Sequence, residues 1–251
     1  MINSKYRKRE EDFIIYTMRS ACTVIILIMA LILGTILWNG LPALSWKILS
    51  SIPKGGFYFG GEGGILNAII GSLYLAIGAT IIAFLISLPT VLFLNVHLRK
   101  RKKLQNLIRL FIDILWGIPS VVYGAFAFSV MIYFGFRASL LAGILTVAVF
   151  IFPIMIRSMD ETLKTVPLNL YEAALALGST KSEISYKIFL KKCIPGLATA
   201  ILLSFGRAIG DAASVLFTAG FTDALPSSLS QPAATLPLSI FFQLTSPFPE
   251  V

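Results

Sequence analysis

The stretch Cys193 to Gly220 reads CIPGLATAILLSFGRAIGDAASVLFTAG, an apolar run long enough to cross a bilayer that carries two charges, Arg207 and Asp211. A charged side chain at the bilayer centre costs about 2.5–3.5 kcal/mol even on lenient insertion scales, so such residues face a protein interior or an aqueous path. Their i, i+4 spacing predicts that both lie on one helical face, one turn apart. An arginine there is a permanent cation whose planar fork of donors suits carboxylate or phosphate oxygens. Two readings follow: a transport path for an oxyanion, or a structural ion pair that locks two helices together. These two residues alone leave both open.

The rest of the chain places that run in a membrane. The 251 residues are 57% hydrophobic and 13% charged, against roughly 25% charged in soluble domains. Mean hydropathy is +0.85. The fold class expected is an all-α integral membrane protein, with 1–251 forming a single transmembrane domain. Five apolar runs are long enough to span: about 21–38, 65–96, 110–136, 138–156 and 194–220. The second is longer than one span needs and contains Pro89, which predicts a kink, a tilt or a protruding end.

The net charge of +9 raises the possibility of a nucleic-acid partner. The positions of the charges argue for membrane topology instead. Seventeen of the 21 Lys and Arg residues fall before the first run, between the second and third, or between the fourth and fifth. Lys47, Lys54 and Arg137 fall in the opposite loops, and Arg207 lies within the membrane. By the positive-inside rule the N-terminus is cytoplasmic, and the segments 39–64, 134–138 and 221–251 face outward. The first run lacks an obvious cleavage site, so a retained helix is expected. Cys22 and Cys193 form no framework, and His97 sits beside a basic cluster as a juxtamembrane polar residue. Six glycines between 51 and 64 are not followed by a Lys-Ser/Thr pair, so the loop reads as a flexible entry to the second run and not as a phosphate cradle. The proline-rich tail 221–251 predicts an ordered loop with one short apolar helix, Leu236 to Leu244.

The cytoplasmic segment 157–192 predicts two short helices. Tyr171 to Leu177 is strongly helix-forming, and Gly178 is placed to end it. Ser179 or Thr180 can cap a second helix, with Glu183 close behind. A small Ala-rich helix on this face suits docking into a groove of another protein, or lies on the bilayer as a solvated amphipathic loop.

At this point the sequence resembles a family. Glu172-Ala173-Ala174, then Gly178, Ile188 and Leu190 resemble the EAA loop of ABC importer permeases, although Lys191 stands where that pattern ends in proline. Gly117-Ile-Pro-Ser-Val-Val-Tyr-Gly124 and Arg207-Ala-Ile-Gly-Asp211 are similar to motifs of phosphate-specific permeases, with Asp211 in place of glutamate. Leu216-Phe-Thr-Ala-Gly220 and Ala234-Thr-Leu-Pro237 resemble the PstA type more than the PstC type. The family has Thr-Ala-Pro after the acid, where this chain has Ala212-Ala213-Ser214. The family also has a sixth span, and truncation before it is the expectation here.

The resemblance implies a type I ABC importer permease fold and a permease subunit of an ATP-driven phosphate importer. It implies as partners a paralogous permease of the PstC type, a homodimeric cytoplasmic ATPase of the PstB type and an extracytoplasmic phosphate-binding protein of the PstS type. Glu172, Ala173, Ala174 and Gly178 would form the coupling loop. No cofactor would bind this chain, ATP and Mg2+ residing on the ATPase. The spans would rock between inward-facing and outward-facing states.

Arg207 lies about thirteen residues into its run, roughly 20 Å deep. Asp211 then either tempers the charge of Arg207 to allow release or forms a gate with it. Gly117 and Pro119 predict a loosened helix near which Ser120 and Tyr123 can offer hydroxyls to an oxyanion, or simply a packing kink. Asp113 is expected to pair locally with Arg109 at i, i+4, because its depth differs from that of Arg207 by roughly 14 Å. The rivals are a permease for sulfate, molybdate or phosphonate, and a membrane sensor or scaffold that transports nothing. An enzyme is the weakest class, because no catalytic or metal-ligand cluster stands out.

Overall fold

A computed structural model describes residues 4–53 and 63–244. Gly55, Gly56, Gly60 and Gly61 of the expected flexible entry lie outside the described residues, as does the tail after 244. The chain divides into two compact units, Met1–Leu49 and Ser50–Val251.

The first unit holds helix α1, Ser4–Gly40, and a 3-10 turn, Leu41–Ala43. At 1.5 Å per residue, 37 residues reach about 55 Å, well beyond a hydrocarbon core of about 30 Å. The charged N-terminal turns therefore project from the apolar part. A short helix, α2 (Trp46–Ser50), follows.

The second unit is built on α3 (Leu66–Leu92), α6 (Leu140–Lys164) and α8 (Lys181–Ile209). The buried face of α3 is a stripe of small residues: Ala68, Gly71, Ser72, Ala76, Ala79 and Ala83 recur at helical spacing. Lipid tails are as apolar as leucine, so burial alone does not drive these helices together; close packing and interhelical hydrogen bonds do. Against this stripe lie Leu140, Ile144, Val147, Ile151 and Met155 of α6. At Gly143 an added Cβ would come within 2.9 Å of the Ala219 side chain and 3.1 Å of Leu75. At Gly71 it would overlap the Ala234 carbonyl. α6 meets α8 closely too, since a Cβ on Gly196 would collide with Thr162.

The helices depart from the apolar runs in three places. The run 110–136 is broken into two helices, α4 (Lys102–Trp116) and α5 (Ser120–Phe134), bent by 91° as a broken span or a re-entrant pair. The bend falls at Gly117-Ile118-Pro119, where Pro119 has an extended ψ of 142° and supplies no amide to continue the helix. The run 194–220 stops being helical at Ile209; residues 211–235 form an irregular segment before α9 (Leu236–Leu244), buried near its two ends and exposed over 227–231. Its ends are tied to the helices by hydrogen bonds that replace those of a continuous helix. The Ser139 and Leu140 amides donate to the Thr218 and Gln231 carbonyls, the Ala233 amide to Ala219, and Asn67 Nδ2 to Thr222. Finally, α6 runs on to Lys164, so the connection to α7 (Leu168–Ala176) is three residues and not a loop from 157.

The two predicted helices of the basic-side segment are present. Gly178 has φ +80°, and the Ser179 and Gly178 amides donate to the Ala174 and Leu175 carbonyls, closing α7. Thr180 and Glu183 form a reciprocal capping box that starts α8. The exit from the loop, where the family pattern has proline and this chain has Lys191, is an unbroken helix. It passes through a π segment, Ile184–Leu190, and accommodates Pro195 one turn later. α3 likewise ends in a π turn, Phe93–His97, one turn after Pro89.

Candidate functional site

Arg207 sits in the last turn of α8, where a cation complements the partial negative charge of the helix end. Its side chain is exposed on the surface of this chain, and its guanidinium carbon lies 5.2 Å from the centroid of the Phe150 ring on α6. Stacking on an aromatic face holds the planar group flat while leaving its N–H donors free. No carboxylate among the described residues lies within salt-bridge distance of it.

Asp211 does not share that face. α8 ends two residues earlier, and Asp211 turns inward, where its Oδ2 accepts the Ser214 amide at 2.9 Å. It acts as the cap of the turn that follows, in the manner of an N-cap aspartate. The spacing put Arg207 and Asp211 on one helical face; they do not share it because the helix that would have stacked them one turn apart stops at Ile209, and no salt bridge joins them.

The Phe150 ring also meets the Tyr123 ring, with centroids 5.7 Å apart. Arg207 and Tyr123 therefore both pack on Phe150, a residue that no motif singles out. The Tyr123 hydroxyl donates to the Leu115 carbonyl at 2.8 Å and so braces the α4–α5 bend. That bond engages the hydroxyl proton in the bend, in line with the packing-kink reading of the two that the sequence left open. Ser120 opens α5, half-buried, one turn from Tyr123 on the same face. The second glycine of the same motif has a packing role: at Gly124 a Cβ would come within 2.8 Å of the Ser214 carbonyl. The motif around Gly117–Gly124 thus bends the chain and presses α5 against the turn capped by Asp211.

A second charged group was missed. Asp160 on α6 is almost fully buried and carries two hydrogen bonds from Arg109, Nε to Oδ2 and Nη2 to Oδ1, both at 2.9 Å. Asn95 Nδ2 donates to Oδ1 at 2.7 Å, and Lys164 Nζ lies 3.0 Å from Oδ2. Asp113 pairs with Arg157 at 3.2 Å and not with Arg109, because Arg109 points across to α6. The signal was available: Asp160 lies on the buried α6 face, one turn from both Ile156 and Lys164.

The basic-side helix α7 is held by Tyr171 and Ala174, which are buried, with the Tyr171 ring edge-on to Phe189 of α8 at 6.4 Å. Glu172, Ala173, Leu177 and Gly178 are exposed. At the start of α8, outside the apolar stretch, the Lys187 ammonium and the Thr180 amide and hydroxyl hold the Glu183 carboxyl at about 2.

These features define a class: a multi-pass membrane protein with packed apolar helices, one of which carries an exposed arginine unpaired with any carboxylate among the described residues, and with a small exposed helix, α7. The fold is that of a type I ABC importer permease. It is similar to a chain of an inward-facing methionine ABC transporter, MetNI, with a TM-score of 0.55 and 23% identity over 58% of this chain and 70% of that one. A family model for the binding-protein-dependent transport system inner membrane component matches residues 87–245, and the chain belongs to that family. Its relatives include the phosphate transport system permease protein PstA of Haemophilus influenzae, 34% identical over 86% of this chain and 76% of that protein. PstA 2 of Mycobacterium tuberculosis is 30% identical over 88% and 72%. PstA of Yersinia pestis is 37% identical over 75% of this chain, and the match spans 63% of the length of that relative.

Proposed function

We propose that this chain is the permease subunit of an ATP-driven importer of inorganic phosphate, in the cytoplasmic membrane with its N-terminus inside. The observation that carries the proposal is Arg207: a permanent cation on an apolar helix, exposed on the chain's surface and stacked on Phe150 without a carboxylate partner among the described residues. Such a side chain cannot face lipid cheaply, so it faces a partner subunit or an aqueous path. A path between this chain and a PstC-type permease would give an anion a guanidinium to pass, held weakly enough to let it leave.

The same geometry supports the coupling. α8 is one uninterrupted helix from the Thr180 cap beside α7 to Arg207, about 39 Å at 1.5 Å per residue. An ATPase dimer of the PstB type, holding ATP and Mg2+, would seat α7 through Glu172, Ala173 and the surface around Gly178. Tyr171 packed on Phe189 would pass its movement to α8. A PstS-type binding protein would deliver phosphate to the outer mouth.

The test is uptake of labelled phosphate by vesicles holding the whole complex, comparing the unmutated chain with Arg207→Ala and Arg207→Lys, with sulfate as competitor. Loss of uptake in Arg207→Ala with the complex still assembled is expected. Normal uptake would make Arg207 a helix-end cation and nothing more, and sulfate competing as well as phosphate would move the substrate to another oxyanion.

A further inference from the structure

The entry to helix α4 carries a strong unclaimed charge patch. Lys100, Arg101, Lys102 and Lys103 are consecutive, exposed and free of ion pairs among the described residues. Lys102 and Lys103 stand in the first turn of α4, which has no acidic residue and no side-chain cap. Cations there oppose the helix dipole, so an anion from outside the chain would relieve both.

The rest of α4 says which kind of anion. Gln105, Ile112 and the Arg109 arm face the protein, with Gln105 Nε2 donating to the Leu94 carbonyl. Leu104, Leu107, Phe111 and Leu115 form an exposed apolar stripe at i, i+3, i+7 and i+11, and Trp116 is exposed at the helix end. α4 stands at 91° to α5, so if α5 crosses the bilayer, α4 lies along its surface. A helix with an apolar stripe, a basic flank and that attitude is built for the headgroup boundary.

We propose that α4 is an interfacial helix whose Lys100–Lys103 cluster binds anionic phospholipid headgroups while its Leu104–Leu107–Phe111–Leu115 stripe sits among the acyl chains. The cluster adjoins the coupling helix: Arg99, next in sequence, stacks its guanidinium 4.8 Å from the ring centroid of Tyr171, the buried residue that holds α7. Arg109 ties the same helix to α6 through Asp160. Anionic lipid thus fixes the frame on which α7 is mounted. This goes beyond the transport reading and does not depend on which anion is moved.

The experiment measures phospholipid retained by the purified whole complex after equilibration with mixed micelles of phosphatidylglycerol and phosphatidylcholine. Phosphatidylglycerol is expected to be retained about tenfold or more over phosphatidylcholine at low salt. The preference should collapse toward 1 M salt, where the Debye length shrinks from about 10 Å to about 3 Å. Replacing Lys100, Arg101, Lys102 and Lys103 together by Gln should abolish the preference, and replacing the three lysines by Arg should keep it. Equal retention of the two lipids by the unmutated complex, a preference that survives high salt, or a Gln variant with the preference intact each overturns the proposal. A Leu107→Ser/Phe111→Ser variant that keeps its lipid but sheds the partner permease would make α4 a protein interface instead. Because no step reads transport, failure here leaves the phosphate reading untouched.

Discussion

Arg109 and Arg207 both project from helices rich in apolar residues, and the fold treats them in opposite ways. Arg109 is consumed: it crosses from α4 to α6 and makes a two-pronged contact with the buried carboxylate of Asp160, with Asn95 and Lys164 completing the shell. Arg207 is left open, lying on the Phe150 ring with its donors uncommitted. The nearest acid in sequence, Asp211, is turned to capping a backbone turn. A satisfied charge joins helices, whereas Arg207 joins none by an ion pair among the described residues. Sequence spacing placed Arg207 and Asp211 one turn apart on one face, leaving their pairing open, and matched Arg109 to Asp113 on its own helix.

The largest effect should come from breaking the closed site. Asp160→Ala leaves Arg109 without its buried acid, while Lys164 keeps only the exposed Glu161. Removing one partner of a buried pair costs about 3–5 kcal/mol. Arg109 and Lys164 retain 19% and 33% side-chain exposure and can swing toward water. A loss of about 2–4 kcal/mol is therefore expected. Thermal unfolding of the detergent-solubilised complex reads it, and an unchanged transition would show that the network is not closed in the assembled protein.

Asp211 sharpens the comparison next. If it is a cap, Asp211→Asn keeps an oxygen for the Ser214 amide and should change stability little, whereas Asp211→Ala should cost about 1 kcal/mol. If it is the counter-charge of Arg207, Asn and Ala should behave alike, and uptake should shift in both. Comparing the stability and phosphate uptake of the two variants separates the roles.

These two residues also mark how far the sequence could be read. The membrane class, the apolar runs, the basic-side helix pair with Gly178 and Thr180 as its punctuation, and the family motifs were all legible. Each depends on local composition or on neighbours within a turn. What was not legible depended on where helices stop and what they cross. Nothing in LLSFGRAIGDAAS announces that α8 ends at Ile209, because Gly210 is a common residue inside membrane helices. The bend at Gly117–Pro119 was foreseen only as a kink, since its 91° angle goes with tertiary contacts, such as the close approach of Gly124 to the Ser214 carbonyl, that local sequence does not show. Phe150 could not be chosen from the other aromatic residues until α5, α6 and α8 were placed together. Asp160 was passed over because the charges around it read as solvated loop, while α6 in fact continues through them to Lys164.

Arg207→Ala should be nearly silent in stability. It forfeits a cation–ring contact of about 0.5–1 kcal/mol and a small favourable term at the helix end. Its effect belongs in uptake, with the complex assembled at the usual level. A large loss of stability instead would mean that Arg207 is buried against a partner subunit as a structural pair, and the contrast with Arg109 would vanish.

The smallest effect is expected at the outer edge of the closed network. Arg157 bridges Asp113 on α4 and Glu161 on its own helix, but the side chains of the Asp113 pair are 32% and 42% exposed. Exposed pairs are worth little, because water already solvates both ends and ordering two side chains costs entropy. Asp113→Asn should therefore change unfolding by less than about 0.5 kcal/mol, since Arg157 keeps Glu161 and the asparagine oxygen can still accept. That value matters more than its size suggests. Asp113 and Asp160 both hold α4 against α6 through an arginine, so a change comparable to that of Asp160→Ala would mean that burial is not what distinguishes them. The open state of Arg207 could then no longer be argued from its lack of a buried acid.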